Sequence, residues 1–207
     1  DVPLTNIVSK GEQIYFGTEG RGLFEFKNGE AKEIKTSSRP YFVNALALAN
    51  DGTVWLGSPA KRTDSGLFGF LPKMNFARFG ENTGTINSLK FYGEDLWIGT
   101  KESGVFLYRG GSEISHFTFE NTSGGLRSNQ VFDVFADREG VIWFGTDKGV
   151  CRFDNASPSN YLFSEDSNVN YVRTLYKTKD GKIYAGTNKG LYIFDGKTWE
   201  ESKELIN

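Results

Sequence analysis

The chain holds one histidine, His116, and one cysteine, Cys151, among its 207 residues. Nucleophilic catalysis of the Ser-His or Cys-His kind needs a base beside the nucleophile, and an imidazole or thiolate metal site needs several such ligands. One residue of each type supplies neither, so no metal and no cofactor is expected. His116 falls in a candidate outer strand, Ile114 to Phe119, and Cys151 stands beside Val150 and Phe153, the setting of a buried, inert thiol. No nucleophile elbow, phosphate loop or zinc-protease motif is present. With 26 Asp and Glu residues, a hydrolase or lyase working through a carboxylate pair is the one enzymatic alternative. The expectation is a protein without catalytic residues.

Charge and composition narrow the partners. A formal net charge of -2 provides no basic field, so no nucleic-acid partner is expected. No run of 18 apolar residues occurs, so no direct membrane insertion is expected. The opening DVPLTNIVSK has neither a charged n-region nor an apolar h-region. A lone cysteine forbids an internal disulfide, which suits a reducing compartment and the bacterial periplasm alike.

The elements that would position any site emerge from an internal repeat. An aromatic residue, an apolar or small residue, Gly, then Thr or Ser recur as Tyr15-Phe16-Gly17-Thr18, Trp55-Leu56-Gly57-Ser58, Trp97-Ile98-Gly99-Thr100, Trp143-Phe144-Gly145-Thr146 and Tyr184-Ala185-Gly186-Thr187. The intervals are 40, 42, 46 and 41 residues. A Gly followed by Leu or Val comes after each (Gly22, Gly66, Gly104, Gly149, Gly190), and an apolar run beginning at Leu4, Val43, Ile86, Val131 or Val172 comes before. The runs are short, rich in β-branched and aromatic residues, and divided by turn dipeptides such as Asp51-Gly52, Glu139-Gly140 and Asp180-Gly181, so each copy reads as strands. In the fourth copy strand A spans 131–136, strand B 141–146, strand C 149–153 and strand D 161–164.

A period of this length with four strands predicts an all-β protein, a β-propeller of five four-stranded blades in a single domain over 1–207. The repeats run approximately 1–40, 41–81, 82–126, 127–167 and 168–207. One such sheet cannot bury both faces, whereas neighbouring blades cover each other. The strand B aromatic is expected to fill the space between blades, and the Gly two residues on to leave room for a neighbour. Two arrangements stay open: a closed five-bladed ring, or an arc of a larger propeller completed by further repeats or another chain. The segment after Trp199 fits either a strand D, Thr198 to Leu205, or a short helix.

The stretch Gly125-Leu126-Arg127-Ser128-Asn129-Gln130-Val131-Phe132-Asp133-Val134-Phe135-Ala136-Asp137, continuing through Gly140-Val141-Ile142-Trp143-Phe144-Gly145-Thr146 to Gly149-Val150, resembles the two-component-regulator propeller repeat. The second and fifth copies resemble it as well; the first and third depart at Lys10-Gly11 and Tyr92-Gly93-Glu94-Asp95, which replace the Asp-x-x-Gly turn. The resemblance implies a sensor-type, non-catalytic propeller, periplasmic or extracellular with the cytoplasm as the alternative, joined to signalling or other domains. Its repeat motif is architectural, so it carries over no ligand residues.

Candidate ligand residues come from departures between copies. The B–C and D–A loops share one face, and the second copy alone inserts Pro59 to Ser65 between strands B and C. Lys61 and Arg62, with Asp64 beside them, offer partners for a carboxylate, sulfate or phosphate. Arg39 and Tyr41, Asn168 to Tyr171, and Arg127 in the long 120–129 connection reach the same face; that connection, with Gly124-Gly125, reads as a mobile loop. The third position of strand A reads Asn6, Ala45, Ser88, Asp133 and Thr174, a small, mostly polar ring for an axial channel; the fourth is apolar throughout. The expected partner is a protein, or a small-molecule or glycan ligand. A structural interaction subunit of a larger multi-chain assembly is the alternative reading.

Overall fold

The computed structural model describes residues 2–35, 40–59, 66–70, 83–153 and 159–203, with 77–80 as backbone. Its strands are β1 (Leu4–Lys10), β2 (Gln13–Thr18), β3 (Gly22–Lys27), β4 (Glu30–Glu33), β5 (Ala45–Leu48), β6 (Val54–Gly57), β7 (Leu67–Phe70), β8 (Ala77–Gly80), β9 (Ile86–Tyr92), β10 (Asp95–Thr100), β11 (Val105–Arg109), β12 (Ser112–Phe117), β13 (Val131–Ala136), β14 (Ile142–Thr146), β15 (Gly149–Phe153), β16 (Ser159–Tyr161), β17 (Val172–Lys177), β18 (Ile183–Thr187), β19 (Leu191–Phe194) and β20 (Trp199–Glu201). They form five four-stranded sheets, each pairing its strands in chain order. In the fourth copy strands A and C match the sequence expectation, strand B starts one residue later, and strand D is displaced to Ser159–Tyr161. The last element is a strand, with Trp199 opposite Phe194, and not a helix. Among the described residues no helix is long and apolar enough to cross a membrane.

The chain groups into two compact units, residues 1–100 with 106–115, and residues 101–105 with 116–207. Inside each unit the repeated motif explains the packing. In the first, Tyr15 and Leu23 of the first sheet meet Val43, Leu46, Val54, Leu56, Phe68 and Phe70 of the second. The second sheet's other side, with Trp55 and Leu67, meets Ile86, Leu89, Leu96, Ile98, Phe106 and Tyr108 of the third. In the second unit Trp143 and Val150 meet Val172, Leu175, Ile183, Ala185, Tyr192 and Phe194. Tyr15, Trp55 and Trp143 thus fill the space between their own sheet and the next, as expected of the strand B aromatic, whereas Tyr184 is only half-buried. Burying each large side chain contributes roughly 1.5–3 kcal/mol.

The motif glycine has an equally definite task. A methyl group on Gly57 would lie 2.3 Å from Cγ2 of Ile86, one on Gly17 2.6 Å from Val43, and one on Gly145 2.9 Å from Val172. Ile86 and Val172 open β9 and β17, and Val43 stands two residues before β5; each is seated on bare backbone. The hydroxyl that follows closes the B–C turn. Thr18, Thr146 and Thr187 Oγ1 donate to the carbonyls of Gly22, Gly149 and Gly190 at 2.9, 2.8 and 3.0 Å. Gly149 has φ +104° and packs so close to the Tyr161 carbonyl that a side chain would collide with it; here the Gly that opens strand C is needed for both conformation and space.

Candidate functional site

The site begins with an irregularity in strand A. In β1, β9, β13 and β17 the first residue pairs with the motif Thr of strand B and the third with the motif Gly; Val172 lies opposite Thr187 and Thr174 opposite Gly186. The residue between them is left out of register, a bulge at the same place in four sheets. Thr5, Asn87, Phe132 and Arg173 hold these positions. A bulge re-aims its side chain away from the pleat, and such positions recur beside binding sites.

In the second unit two bulge residues converge. Phe132 and Tyr171 have ring centroids 4.6 Å apart. The Arg173 guanidinium lies 4.4 Å from the Tyr171 ring centre and 5.1 Å from that of Phe132. Its Nε donates to Asn188 Oδ1 at 3.0 Å, and Asn188 N–H donates to the Tyr171 carbonyl at 3.2 Å, tying the D–A connection to the B–C turn of the fifth sheet. Arg173 nonetheless stays exposed. A planar, permanently charged fork is therefore held on aromatic faces at the loop end of the sheets, where it can meet a carboxylate or sulfate in two parallel hydrogen bonds.

Among the sequence-predicted residues, Tyr171 belongs to this cluster. Arg127 lies in the connection that leads into β13, the strand of Phe132, with its backbone N–H 3.2 Å from Cys151 Sγ and its Nε buried without a hydrogen-bond partner. Asp147 Oδ1, one residue past the motif Thr146, is buried in the same condition. Tyr41, in the first unit, is half exposed, and its carbonyl accepts Gly20 and Gly22 N–H at 3.0 and 2.7 Å. Lys61, Arg62, Asp64 and Arg39 lie outside the described residues.

The axial column divides. Asp133 Oδ2 accepts the Leu175 N–H at 2.7 Å and the Thr174 hydroxyl at 3.3 Å, so these two column members meet and fasten the fourth sheet to the fifth. Asn6 stands opposite Gly17 and Ser88 opposite Gly99, both half-buried. The 120–129 connection, expected to be mobile, is laced by its own hydrogen bonds. Thr122 Oγ1 donates to the Thr118 carbonyl at 2.6 Å and accepts Leu126 N–H at 2.8 Å, while Asn129 Oδ1 accepts Phe119 N–H at 2.7 Å.

Sequence reasoning missed Phe132, Arg173 and Asn188. The signal was the second position of strand A, which reads Thr5, Asn44, Asn87, Phe132 and Arg173. A buried strand would not place polar groups in the second position so regularly.

At the opposite end of the fourth and fifth sheets, a cavity of about 400 Å³ is lined by Asp137, Glu139, Trp143, Arg152, Lys177 and Lys197, among others. Its charges are largely spent on one another. Lys177 Nζ is 2.6 Å from Glu139 and 3.8 Å from Asp137, and Asp137 accepts the Trp143 indole N–H at 3.1 Å. The Lys177 hydrogen bond holds the Glu139 carboxyl below its ordinary value. Burial pushes the Cys151 thiol up to about 12, so it stays protonated and unreactive. The His116 ring is bonded to the Ser103 carbonyl.

Residues 125–148 match the family model described as "Two component regulator propeller". A histidine kinase P4 of Formosa agariphila is 27% identical over 160 residues, 69% of this chain and 11% of that protein. Among solved structures, the extracellular domain of a hybrid two component system of B. thetaiotaomicron superposes with a TM-score of 0.77 at 19% identity, over 96% of this chain and 29% of that one. The virginiamycin B lyase of Staphylococcus aureus superposes with a TM-score of 0.76 at 11% identity, over all of this chain and 71% of that one. The chain thus spans about a tenth of the kinase and under a third of the sensor domain. The fold is that of a β-propeller, and its fourth repeat matches the two component regulator propeller model over residues 125–148.

Proposed function

We propose that this chain is the ligand-sensing, non-catalytic propeller portion of a longer extracytoplasmic receptor, and that it engages its ligand where the D–A and B–C loops of the fourth and fifth sheets meet. The observation that carries this reading is the exposed Arg173 guanidinium held against Tyr171 and Phe132 and braced by Asn188. The ligand class it suits is a carboxylated or sulfated sugar, with the anion on Arg173 and ring C–H groups on the aromatic faces. The buried, partnerless Arg127 Nε and Asp147 Oδ1 supply a donor and an acceptor on the same pair of sheets. The family match over 125–148, the kinase relative and the extracellular sensor domain support the sensing role and the location outside the cytoplasm.

Against catalysis stand a histidine committed to a backbone carbonyl and a protonated, buried cysteine. We also read the five sheets as a stretch of a longer propeller, a reading supported by the chain's covering 29% of the sensor domain it resembles.

Calorimetric titration with acidic and neutral oligosaccharides tests the site. Arg173→Ala is expected to weaken binding of the acidic ligands at least tenfold, with Arg173→Lys intermediate and Lys61→Ala unchanged. Equal affinity for wild type and Arg173→Ala sinks the assignment, and a loss confined to Lys61→Ala or Arg62→Ala moves the site to the second copy's insertion.

A further inference from the structure

Two junctions between sheets hold a cavity at the same place and line it with different chemistry. In the first unit, a cavity of about 320 Å³ between the second and third sheets is lined by Trp55, Ala49 and Phe91, among others. In the second unit, the cavity of about 400 Å³ between the fourth and fifth sheets has Trp143 in that role. Asp137 precedes Trp143 by six residues, as Ala49 precedes Trp55, and Lys177 follows Val172 by five, as Phe91 follows Ile86. An apolar pair in one junction is thus an ionic pair in the other. Packing does not call for the charges, because apolar residues in the place of a buried ion pair are commonly neutral or stabilising.

The members of the ionic group are not equally fixed. Asp137 Oδ1 accepts the Glu139 and Val141 N–H groups at 3.1 and 2.9 Å, and its Oδ2 accepts the Trp143 indole N–H at 3.1 Å. The Lys177 side chain is only 12% exposed, and its Nζ stands 3.8 Å from Asp137, beyond hydrogen-bond reach. Among the described residues its hydrogen bond goes to Glu139 alone, at 2.6 Å, and the Glu139 side chain is 67% exposed. A nearly buried ammonium is therefore satisfied by a carboxylate that stands in solvent, in a pairing that water weakens. The lining holds three cations, Arg152, Lys177 and Lys197, against the two carboxylates of Asp137 and Glu139.

We propose that this cavity is a second ligand site, for a small carboxylic acid whose carboxylate displaces that of Glu139 from Lys177. Glu139 holds the ammonium in the ligand's place and turns out into solvent when the acid enters. Lys197, exposed on the turn between β19 and β20, adds positive charge at the rim, and Val141, Ile183 and Tyr161 receive the body of the ligand. The fixed Asp137 carboxylate beside Lys177 repels a second negative charge, so the site suits a monoanion better than a phosphate dianion. It lies at the end of the sheets opposite Arg173 and is independent of the role given to that residue.

Calorimetric titration with benzoate tests the site, with benzamide as the uncharged control and inorganic phosphate as the dianion. All titrations use the Arg173→Ala chain, so that the other cluster contributes nothing. Benzoate is expected to bind with roughly millimolar affinity, and benzamide and phosphate more weakly. Glu139→Ala removes the internal competitor and is expected to tighten benzoate binding by up to about fivefold, the strength of an exposed salt bridge. Lys177→Met, which puts an apolar side chain where the other junction has Phe91, is expected to lose benzoate binding. Should that variant fail to fold, the exposed Glu139 position still decides the matter. Unchanged or weakened benzoate affinity in Glu139→Ala overturns the displacement, and so does the absence of binding to both chains. Benzamide bound as tightly as benzoate, or phosphate bound more tightly, overturns the ligand class.

Discussion

Gly57 and Gly186 stand in the same motif, after an aromatic and before a hydroxyl residue, and their surroundings differ completely. Ile86 rests on the Gly57 backbone, with its Cγ2 2.3 Å from where a methyl group would be, whereas Gly186 has only its own sheet's Thr174 nearby. The partners of the motif aromatics differ in parallel: Trp143 is 2% exposed in a core with the fifth sheet, and Tyr184 is only half-buried. The motif therefore encodes a socket, and its stabilising value comes from the neighbour seated in it. That is why one sequence signature can be indispensable in one copy and nearly neutral in another.

The largest test of this contrast is the aromatic itself. Trp143→Ala removes a side chain packed against Phe194, Tyr161 and Trp199, at ring-centroid distances of 5.4, 6.1 and 6.3 Å. It also strips Asp137 of the indole N–H. The expected loss in denaturant unfolding is about 3–5 kcal/mol. Tyr184→Ala, at the corresponding place in the fifth sheet, is expected to cost under about 1 kcal/mol. Equal losses would break the comparison.

Next come the glycines. Gly57→Ala forces a methyl group into Ile86, and overpacking of this kind costs about 1–3 kcal/mol. The order of damage should follow the clearances, Gly57 worst, then Gly17, then Gly145. Gly186→Ala is expected to be the mildest of the four, since its methyl group would lie 3.0 Å from Cγ2 of Thr174, an exposed side chain of its own sheet, and Ala is less costly to order in a strand than Gly. Thermal midpoints of the four variants check the ranking; a Gly186→Ala variant as damaged as Gly57→Ala would mean that the fifth sheet is covered after all.

Sheets, sheet order and the place of each motif residue were legible because they follow from chemistry repeated five times. An aromatic needs a junction to fill, a bare backbone needs a neighbour to receive, and a hydroxyl at a turn needs a carbonyl to bond. Strand A of the second sheet shows the limit of that reasoning. Its ladder begins at Ala45, two residues after Val43, yet Val43 is wholly buried because it seats on Gly17. Burial there comes from the neighbouring sheet and not from the residue's own pairing. The bulge is hidden within any one copy for a related reason. Two residues opposing one is a property of register between strands, so Val172-Arg173-Thr174 alone does not announce which of the three is squeezed out; only the second position compared across copies does. The Arg173 cluster followed from that irregularity. The basic insertion at Lys61 and Arg62 drew attention because it was an addition to the sequence, whereas the bulge adds no residue to the repeat.

The finest test concerns Asp133, where an architectural and a ligand-binding role make opposite predictions. If its carboxylate serves the junction, Asp133→Ala leaves the Leu175 N–H, on a residue 6% exposed, without its 2.7 Å acceptor. The expected cost is about 1–2 kcal/mol, and hydrogen exchange at the Leu175 amide should quicken. Asp133→Asn keeps an acceptor oxygen and should recover most of both effects. Acidic-ligand affinity should change little in either variant, because Arg173 and not Asp133 carries the charge that the ligand meets. Intact exchange protection at Leu175 with weakened binding would reverse the assignment, returning the third position of strand A to the ligand site and leaving the junction to hydrophobic seating alone.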